Sequence, residues 1–85
     1  MTLPLIKDSV EVAREQDVVL LRNRVKEYAV KIKMGLVNQT KLLTAVSELV
    51  RNMLRYGNGG NVVIEVVSQG RDNGIRLTFA DQGPG

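Results

Sequence analysis

The spacing of apolar residues changes sharply along this 85-residue chain, and that change most limits the folds it can adopt. Between residues 18 and 56 apolar residues recur every three or four positions, which is the period of an amphipathic helix. Between residues 61 and 80 they alternate or run together, as is typical of β-strands. Because both periods occur in so short a chain, we expect residues 1–85 to form a single domain that combines helices and strands.

The pattern predicts five elements in the order strand, helix, helix, strand, strand. Their expected bounds are residues 9–14, 18–33, 39–56, 61–68 and 75–80. The turn-forming residues between the last two strands should let them pair as an antiparallel hairpin. This order predicts an α+β fold with two helices on one face of a mainly antiparallel sheet.

Local signals predict where each helix begins and ends. Asp17 and Asn38 are the expected N-caps, since their side-chain oxygens can accept free backbone N–H groups, and Gly35 is the expected end of the first helix. Tyr28 falls on the core face of that helix. The apolar face of the second helix is expected to comprise Leu42, Leu43, Val46, Leu49, Val50 and Met53.

The composition excludes several kinds of chemistry. With no cysteine, disulfides and thiolate metal sites are excluded, and with no histidine the commonest general base is absent. No apolar run is long enough to cross a membrane and the N-terminus does not read as a signal peptide, so we expect a cytoplasmic protein without membrane partners. The net charge of +3 is mild. Solubility is the favoured explanation of the charge alone, and an anionic partner such as a nucleotide, a nucleic acid or an acidic protein surface is the alternative.

A first polar motif lies in the middle of the second predicted helix. Glu48 and Asn52 are four residues apart, so they lie one above the other on the same helix face. A carboxylate at that position can act as a base, and an amide oxygen is a suitable ligand for Mg²⁺. The motif by itself is also what the polar face of any amphipathic helix shows, and that simpler interpretation is favoured when the motif is taken alone.

A second motif, Asp81-Gln82-Gly83-Pro84-Gly85, follows the last predicted strand. Gly83 and Gly85 have no Cβ, so a flat ligand can approach their backbone closely. The carboxylate of Asp81 can accept a hydrogen bond from the exocyclic amine of a base. Asp, Gly and Pro also dominate ordinary surface turns, and an ordinary turn is the favoured interpretation of this motif alone.

Taken together, the two motifs resemble a known pair. A helix bearing Glu-Leu-Val-Arg-Asn, then a hairpin, then Asp-Gln-Gly-Pro-Gly is similar to the N-box and G1 box of the Bergerat-fold (GHKL) ATPases and kinases. The residues of both motifs, and the strand–helix–helix order before them, resemble those of the RsbT-like anti-sigma regulatory factors. That branch comprises the serine-protein kinases of the stressosome. The resemblance covers nearly the whole chain.

The resemblance implies a role for each matching position. Glu48 would orient or deprotonate the attacking hydroxyl, and Asn52 would bind the Mg²⁺ that bridges the phosphates of ATP. Asp81 would accept a hydrogen bond from the adenine amino group, while Gly83 and Gly85 would form the wall against the base. Arg51 and Arg55 would either neutralise phosphate or substrate charge or simply be solvated.

The resemblance also implies an activity and partners. Kinases of this branch use ATP and Mg²⁺ to phosphorylate a serine on a STAS-domain partner, an anti-sigma antagonist or stressosome protein, in stress signalling. The chain ends at the G1 box, before the lid and second glycine-rich segment that such domains carry. We therefore expect residues 1–85 to be the N-terminal part of a histidine-kinase-like ATPase domain, an incomplete Bergerat fold that is inactive alone. An unpaired sheet edge would favour a homodimer or larger homo-oligomer.

Two other classes of function remain open. The same fragment could be a non-catalytic dimerisation or protein-interaction module that retains the motifs as relics. A small basic nucleic-acid-binding protein is the third class, because the first predicted helix is rich in Lys and Arg. It ranks last, since Tyr28, Tyr56 and Phe79 are the chain's aromatic residues and few of them can stack on bases.

Overall fold

Two helices and three strands follow one another in the expected order. The computed structural model describes residues 3–57 and 59–81 of the chain. The elements are β1 (Leu3–Val12), α1 (Glu15–Lys31), α2 (Leu36–Gly57), β2 (Gly60–Gln69) and β3 (Asp72–Asp81). The α+β class predicted from the apolar spacing is confirmed.

The three strands form one antiparallel sheet in the order β1-β2-β3. β2 lies in the middle, and its apolar residues on the face without helices, Val63 and Val67, are only half-buried. The predicted hairpin joins β2 to β3, but its turn is tighter than residues 69–74, since Gln69 already pairs with Asp72. Gly70 has a φ of 65°, and a positive φ at the first of two turn residues is what a type II′ hairpin requires.

Both helices cover the same face of this sheet and enclose a single apolar core. Every second residue of a strand points to the same face, and the buried strand residues follow that rule. The buried apolar side chains of this core are Val10, Val12, Val18, Leu21, Val25, Val46, Val50, Met53, Val62 and Ile64. The opposite face of the sheet carries an exposed ion pair between Glu65 and Arg76, which are direct neighbours on β2 and β3.

β1 is longer than the sequence pattern predicted, and it begins and ends earlier. It pairs with β2 from Leu3 to Val12, with a register irregularity between Pro4 and Ile6. The predicted range, residues 9–14, was based on the alternation around Val10 and Val12, and it did not include Lys7 and Asp8. These polar residues are accommodated since β1 is an outer strand of the described sheet and Asp8 has partners on α1.

The start of α1 differs from the prediction in its capping residue. The helix begins at Glu15, so Arg14 occupies the N-cap position and Asp17 lies in the first turn. The Asp17 carboxylate accepts hydrogen bonds from the backbone N–H groups of Ala13 at 2.8 Å and Arg14 at 3.0 Å. Asp17 therefore stabilises this end of the helix as expected, but from inside the helix rather than as its N-cap.

The turn between α1 and α2 overturns two further predictions. Lys33, not Gly35, adopts the left-handed conformation that ends α1, with a φ of 59°. The N–H of Met34 donates to the carbonyl of Ala29 at 2.9 Å, and that of Lys33 donates to Val30 at 3.0 Å, which together form a Schellman motif. α2 then begins at Leu36, so Asn38 lies within its first turn and is not the N-cap.

A glycine allows the end of α2 to pass close to β1. Gly59 lies between α2 and β2, has a φ of 89°, and donates its N–H to the carbonyl of Met53 at 3.1 Å. A Cβ at this position would collide with the carbonyl of Val12. Gly59 therefore permits α2 to run directly into the central strand.

Neither helix in residues 3–57 and 59–81 is both long enough and apolar enough to cross a membrane.

Candidate functional site

The structure places Glu48 and Asn52 near the middle of α2, and both side chains are exposed. Four residues separate them, so their Cβ atoms are about 6 Å apart on one helix face. Neither residue forms a salt bridge or a side-chain hydrogen bond with another described residue. The pair therefore presents a carboxylate and an amide outward from the helix.

The opposite face of α2 packs against the rest of the fold. Val46, Val50 and Met53 are buried against the sheet and α1. Ser47 is also buried, and its hydroxyl donates to the carbonyl of Leu43 at 2.8 Å, which satisfies the hydroxyl within the helix. Burial on this face fixes the rotation of α2, and that rotation is what turns Glu48 and Asn52 outward.

Leu49 was predicted to lie on the apolar face of α2, but half of its surface (51%) is exposed. At about 100° per residue, Leu49 lies at the edge of the buried stripe, between Met53 and Asn52. Tyr56 lies one helical turn beyond Asn52 and is 75% exposed. Asn52 is thus flanked by two uncovered apolar side chains, and the three define what we call the Asn52 flank of α2.

The other side of α2 lies beside the beginning of α1. Arg51, Leu54 and Arg55 line a shallow depression of about 450 Å³ together with Ala13, Arg14 and Glu15. Arg51 precedes Asn52 by one residue, so the two side chains leave the helix about 100° apart. The two arginines whose role was left open therefore border this depression, and the guanidinium of Arg55 also lies over the ring of Tyr56 on the Asn52 flank, 5.9 Å from the ring centroid.

The second motif begins where β3 ends. Asp81 is the last residue of β3 and pairs with Gly60, the first residue of the central strand, which α2 enters through Gly59. Gly83 and Gly85 lie outside the described residues. The structure thus brings the backbone of Asp81 to the sheet end that adjoins the C-terminus of α2.

The helical layer covers β2 more fully than β3. On the covered face Val62 and Ile64 of β2 are completely buried, while their β3 partners Phe79 and Leu77 are only half-buried. Ile75 is likewise half-buried opposite Val66. An apolar strip along β3 therefore remains partly open on the helix-bearing face of the sheet.

A polar cluster that the sequence pattern did not predict joins β1 to α1. The Asp8 carboxylate accepts hydrogen bonds from the guanidinium of Arg24 at 2.5 Å and the hydroxyl of Tyr28 at 2.8 Å. The hydrogen bond from Arg24, opposed in part by burial and aided by the one from Tyr28, lowers the pKa of Asp8 below its usual value. Arg24 and Tyr28 lie four residues apart on α1, but nothing in that spacing pointed to a partner on β1.

The amide of Asn52 is the candidate Mg²⁺ ligand of this site. No group of three or more acidic residues able to hold a metal occurs among residues 3–57 and 59–81. Mg²⁺ commonly takes only one or two protein oxygens and keeps waters or substrate phosphates as its other ligands. The amide oxygen of Asn52 can supply one such protein oxygen.

A sequence comparison identifies a known protein that this chain resembles. The chain is similar to the serine/threonine-protein kinase RsbT of Bacillus subtilis (strain 168), with 36% identity over 76 residues. The match covers 89% of this chain and 57% of RsbT, so the chain spans a little over half of that relative's length. No family model matches the chain. No solved structure matches it significantly.

Proposed function

We propose that the chain belongs to the anti-sigma regulatory type of serine/threonine-protein kinase and that it carries part of an ATP site of the Bergerat fold. One observation supports this most strongly: Glu48 and Asn52 are held outward together on α2 in a chain 36% identical to a kinase over 76 residues. The backbone of Asp81 lies at the sheet end next to the same helix. The proposed substrate is a serine of a STAS-domain partner in a stress-signalling complex.

Glu48 is the proposed catalytic residue. ATP bound with Mg²⁺ supplies the phosphoryl group, and the protein's task is to position the reactants and neutralise charge. The Glu48 carboxylate would accept the proton of the substrate serine hydroxyl as the serine oxygen bonds to the γ-phosphorus of ATP, and ADP would leave with the electron pair of the broken bond between that phosphorus and the bridging oxygen. Since Glu48 is exposed and has no ion-pair partner among the described residues, it is accessible to a hydroxyl on another protein.

Nucleotide binding is assigned to the remaining motif residues. The Asn52 amide oxygen holds the Mg²⁺ of Mg·ATP, and the Asp81 carboxylate accepts a hydrogen bond from the adenine amino group. Gly83 and Gly85 form the wall beside the base. The half-buried Leu77 and Phe79 of β3 provide apolar surface of the kind that purine rings favour.

The test is phosphoryl transfer from Mg·ATP to a purified STAS-domain protein that carries the acceptor serine. Glu48→Gln removes the base but keeps the size of the side chain, and it should lower transfer at least about 100-fold. Glu27→Gln is the matched control, because Glu27 is an exposed glutamate on α1. Equal, measurable transfer by the Glu48→Gln variant and the unchanged chain would refute the assignment of Glu48. No transfer by the unchanged chain is the result expected if residues 1–85 are inactive alone.

A second candidate function is a non-catalytic dimerisation module. It is favoured by the sheet, in which only β2 is paired on both sides within residues 3–57 and 59–81. An outer strand with free N–H and C=O groups can pair with a second copy. A stable complex with the STAS-domain protein, or with a second copy, without any phosphoryl transfer would favour this candidate.

Sedimentation at several protein concentrations tests the proposed homo-oligomer. Leu5 is 59% exposed on β1, and Leu5→Lys should weaken association through that edge, because lysines on outer strands oppose strand pairing. Leu20→Lys on α1 is the control, since Leu20 is similarly exposed at 47%. A monomer at all concentrations would rule out the dimer for this chain.

A further inference from the structure

Three arginines from separate parts of the chain converge on one depression. Arg14 comes from the connection between β1 and α1, while Arg51 and Arg55 lie one turn apart on α2. All three side chains are exposed, and the depression measures about 450 Å³. Ala13 and Leu54 contribute apolar surface, and Glu15 contributes the one carboxylate of the lining.

These arginines differ from those elsewhere in the fold. Arg24 and Arg76 each form a salt bridge, with Asp8 and Glu65 respectively. Arg14, Arg51 and Arg55 form none with the described residues. The guanidinium of Arg55 does contact the ring of Tyr56, 5.9 Å from the ring centroid, but that contact leaves its charge uncompensated. Like charges around one depression repel one another, and a bound anion removes that repulsion.

We propose that this depression is a binding site for a phosphate monoester, lined by residues other than Glu48, Asn52 and Asp81, to which the ATP site is assigned. The three arginines and one glutamate that line the depression carry a net charge of +2, which matches a phosphate monoester dianion. The planar fork of arginine binds phosphate oxygens in pairs, so two or three arginines can hold one phosphate group. The inference rests on the arginines and does not depend on the kinase proposal.

The shape of the depression indicates what else the ligand carries. A single phosphate fills only part of the space, and Leu54 and Ala13 offer apolar surface beside the arginines. The phosphate is therefore attached to a short carbon-bearing group. Two sources share this chemistry: the phosphorylated serine of a protein partner and a small free phosphate ester.

The experiment follows the backbone amide signals of the isotope-labelled chain. It is titrated with inorganic phosphate, with a short phosphoserine peptide, and with the same peptide carrying unmodified serine, all at constant ionic strength. Signals of Glu15, Arg51 and Arg55 should shift together and saturate with phosphate and with the phosphopeptide but not with the serine peptide. Binding of the phosphopeptide at least about tenfold tighter than phosphate indicates a protein source, and equal binding indicates a small ester.

Matched variants decide whether the arginines carry the binding. Arg51→Gln and Arg55→Gln should each weaken phosphate binding roughly tenfold, the loss expected for one charge-assisted hydrogen-bonded contact. Arg71→Gln is the control, since Arg71 is exposed on the hairpin turn and distant in sequence from the depression. The proposal is overturned if sodium chloride produces the same shifts as phosphate, if no shift saturates, or if the control variant loses as much affinity as the other two.

Discussion

Two polar groupings in this small fold have opposite surroundings. Asp8 on β1 is half-buried, and its carboxylate is engaged by both Arg24 and Tyr28 of α1. Glu48 and Asn52 on α2 are exposed and bond to no other described side chain. Each grouping places side chains at helical spacing of four residues, yet only the first has its partners within the described fold.

The difference separates polar groups that stabilise the fold from polar groups that are free to bind a ligand. A buried or half-buried carboxylate with partners contributes to stability, because its hydrogen bonds replace those it made to water. Exposed polar groups on a rigid helix contribute little to stability but are held in position for something outside the fold. We therefore expect substitutions in the first grouping to change folding and substitutions in the second to change binding.

The largest expected effect is on nucleotide binding. Asn52→Ala should weaken Mg·ATP binding at least about tenfold, because it removes the proposed metal ligand. Its free energy of unfolding should change by no more than about 0.5 kcal/mol, since Asn52 is exposed in a helix where alanine is favourable. Asn23→Ala, at an exposed position of α1, should alter neither quantity. Isothermal calorimetry measures the binding of Mg·ATP, and urea unfolding measures the free energy of unfolding. A large loss of stability in Asn52→Ala would show that Asn52 stabilises the fold, contrary to the comparison.

The second effect is on folding. Asp8→Ala leaves Arg24 and Tyr28 without their acceptor, and we expect a loss of about 1–2 kcal/mol in the free energy of unfolding, reduced by the partial solvent exposure of the pair. Asp72→Ala serves as the control, because Asp72 is an exposed aspartate at the start of β3. If both variants unfold at the same urea concentration, the Asp8 cluster is not the structural element proposed here.

The third effect is a dependence of stability on pH. Folding lowers the pKa of Asp8, so the unfolded chain binds a proton more readily and the stabilisation is present above the unfolded pKa of about 4. It is lost as the pH falls through the lower pKa of the folded state. The difference in unfolding free energy between the unchanged chain and Asp8→Asn should be constant above about pH 5 and should shrink below about pH 4. A difference that grows on acidification would contradict the assigned direction.

The smallest effect concerns the turn that joins the two helices. Lys33 has a φ of 59°, a conformation that glycine adopts without strain. Lys33→Gly should raise the free energy of unfolding by up to about 1 kcal/mol, because relief of strain is partly offset by the greater freedom of glycine in the unfolded chain. Lys26→Gly, inside α1, should lower it by roughly the same amount. Thermal unfolding of both variants tests whether this turn or Gly35 ends α1.

The elements were predictable where a regular apolar pattern governs local structure. Both helices and the hairpin were found, because the period of burial on one face differs between helix and strand. The ends were less predictable: Lys33 adopts the left-handed conformation that ends α1, although a glycine, the residue that favours this conformation, lies two residues later. The early start of β1 depends on contacts of Asp8 with residues 16 and 20 positions away, which no local pattern contains.

The candidate site was predictable in part. The spacing of Glu48 and Asn52 placed them correctly on one exposed face of α2. The exposure of Leu49 was missed, because a helical wheel shows the centre of a buried stripe more clearly than its edge. Nothing local indicated that Arg14 would join Arg51 and Arg55, since the three come together only when α1 packs beside α2.

The central claim is that the Asn52 flank and the end of β3 form one adenine-nucleotide site. Its most direct test is a titration of Mg·ATP into the isotope-labelled chain while the backbone amide signals are followed. The account predicts that the signals of Asn52, Asp81 and Gly83 shift together and that Asp81→Asn abolishes the response. A chain that is folded and shows no shift at these residues, or one in which Asp81→Asn responds as the unchanged chain does, would contradict it.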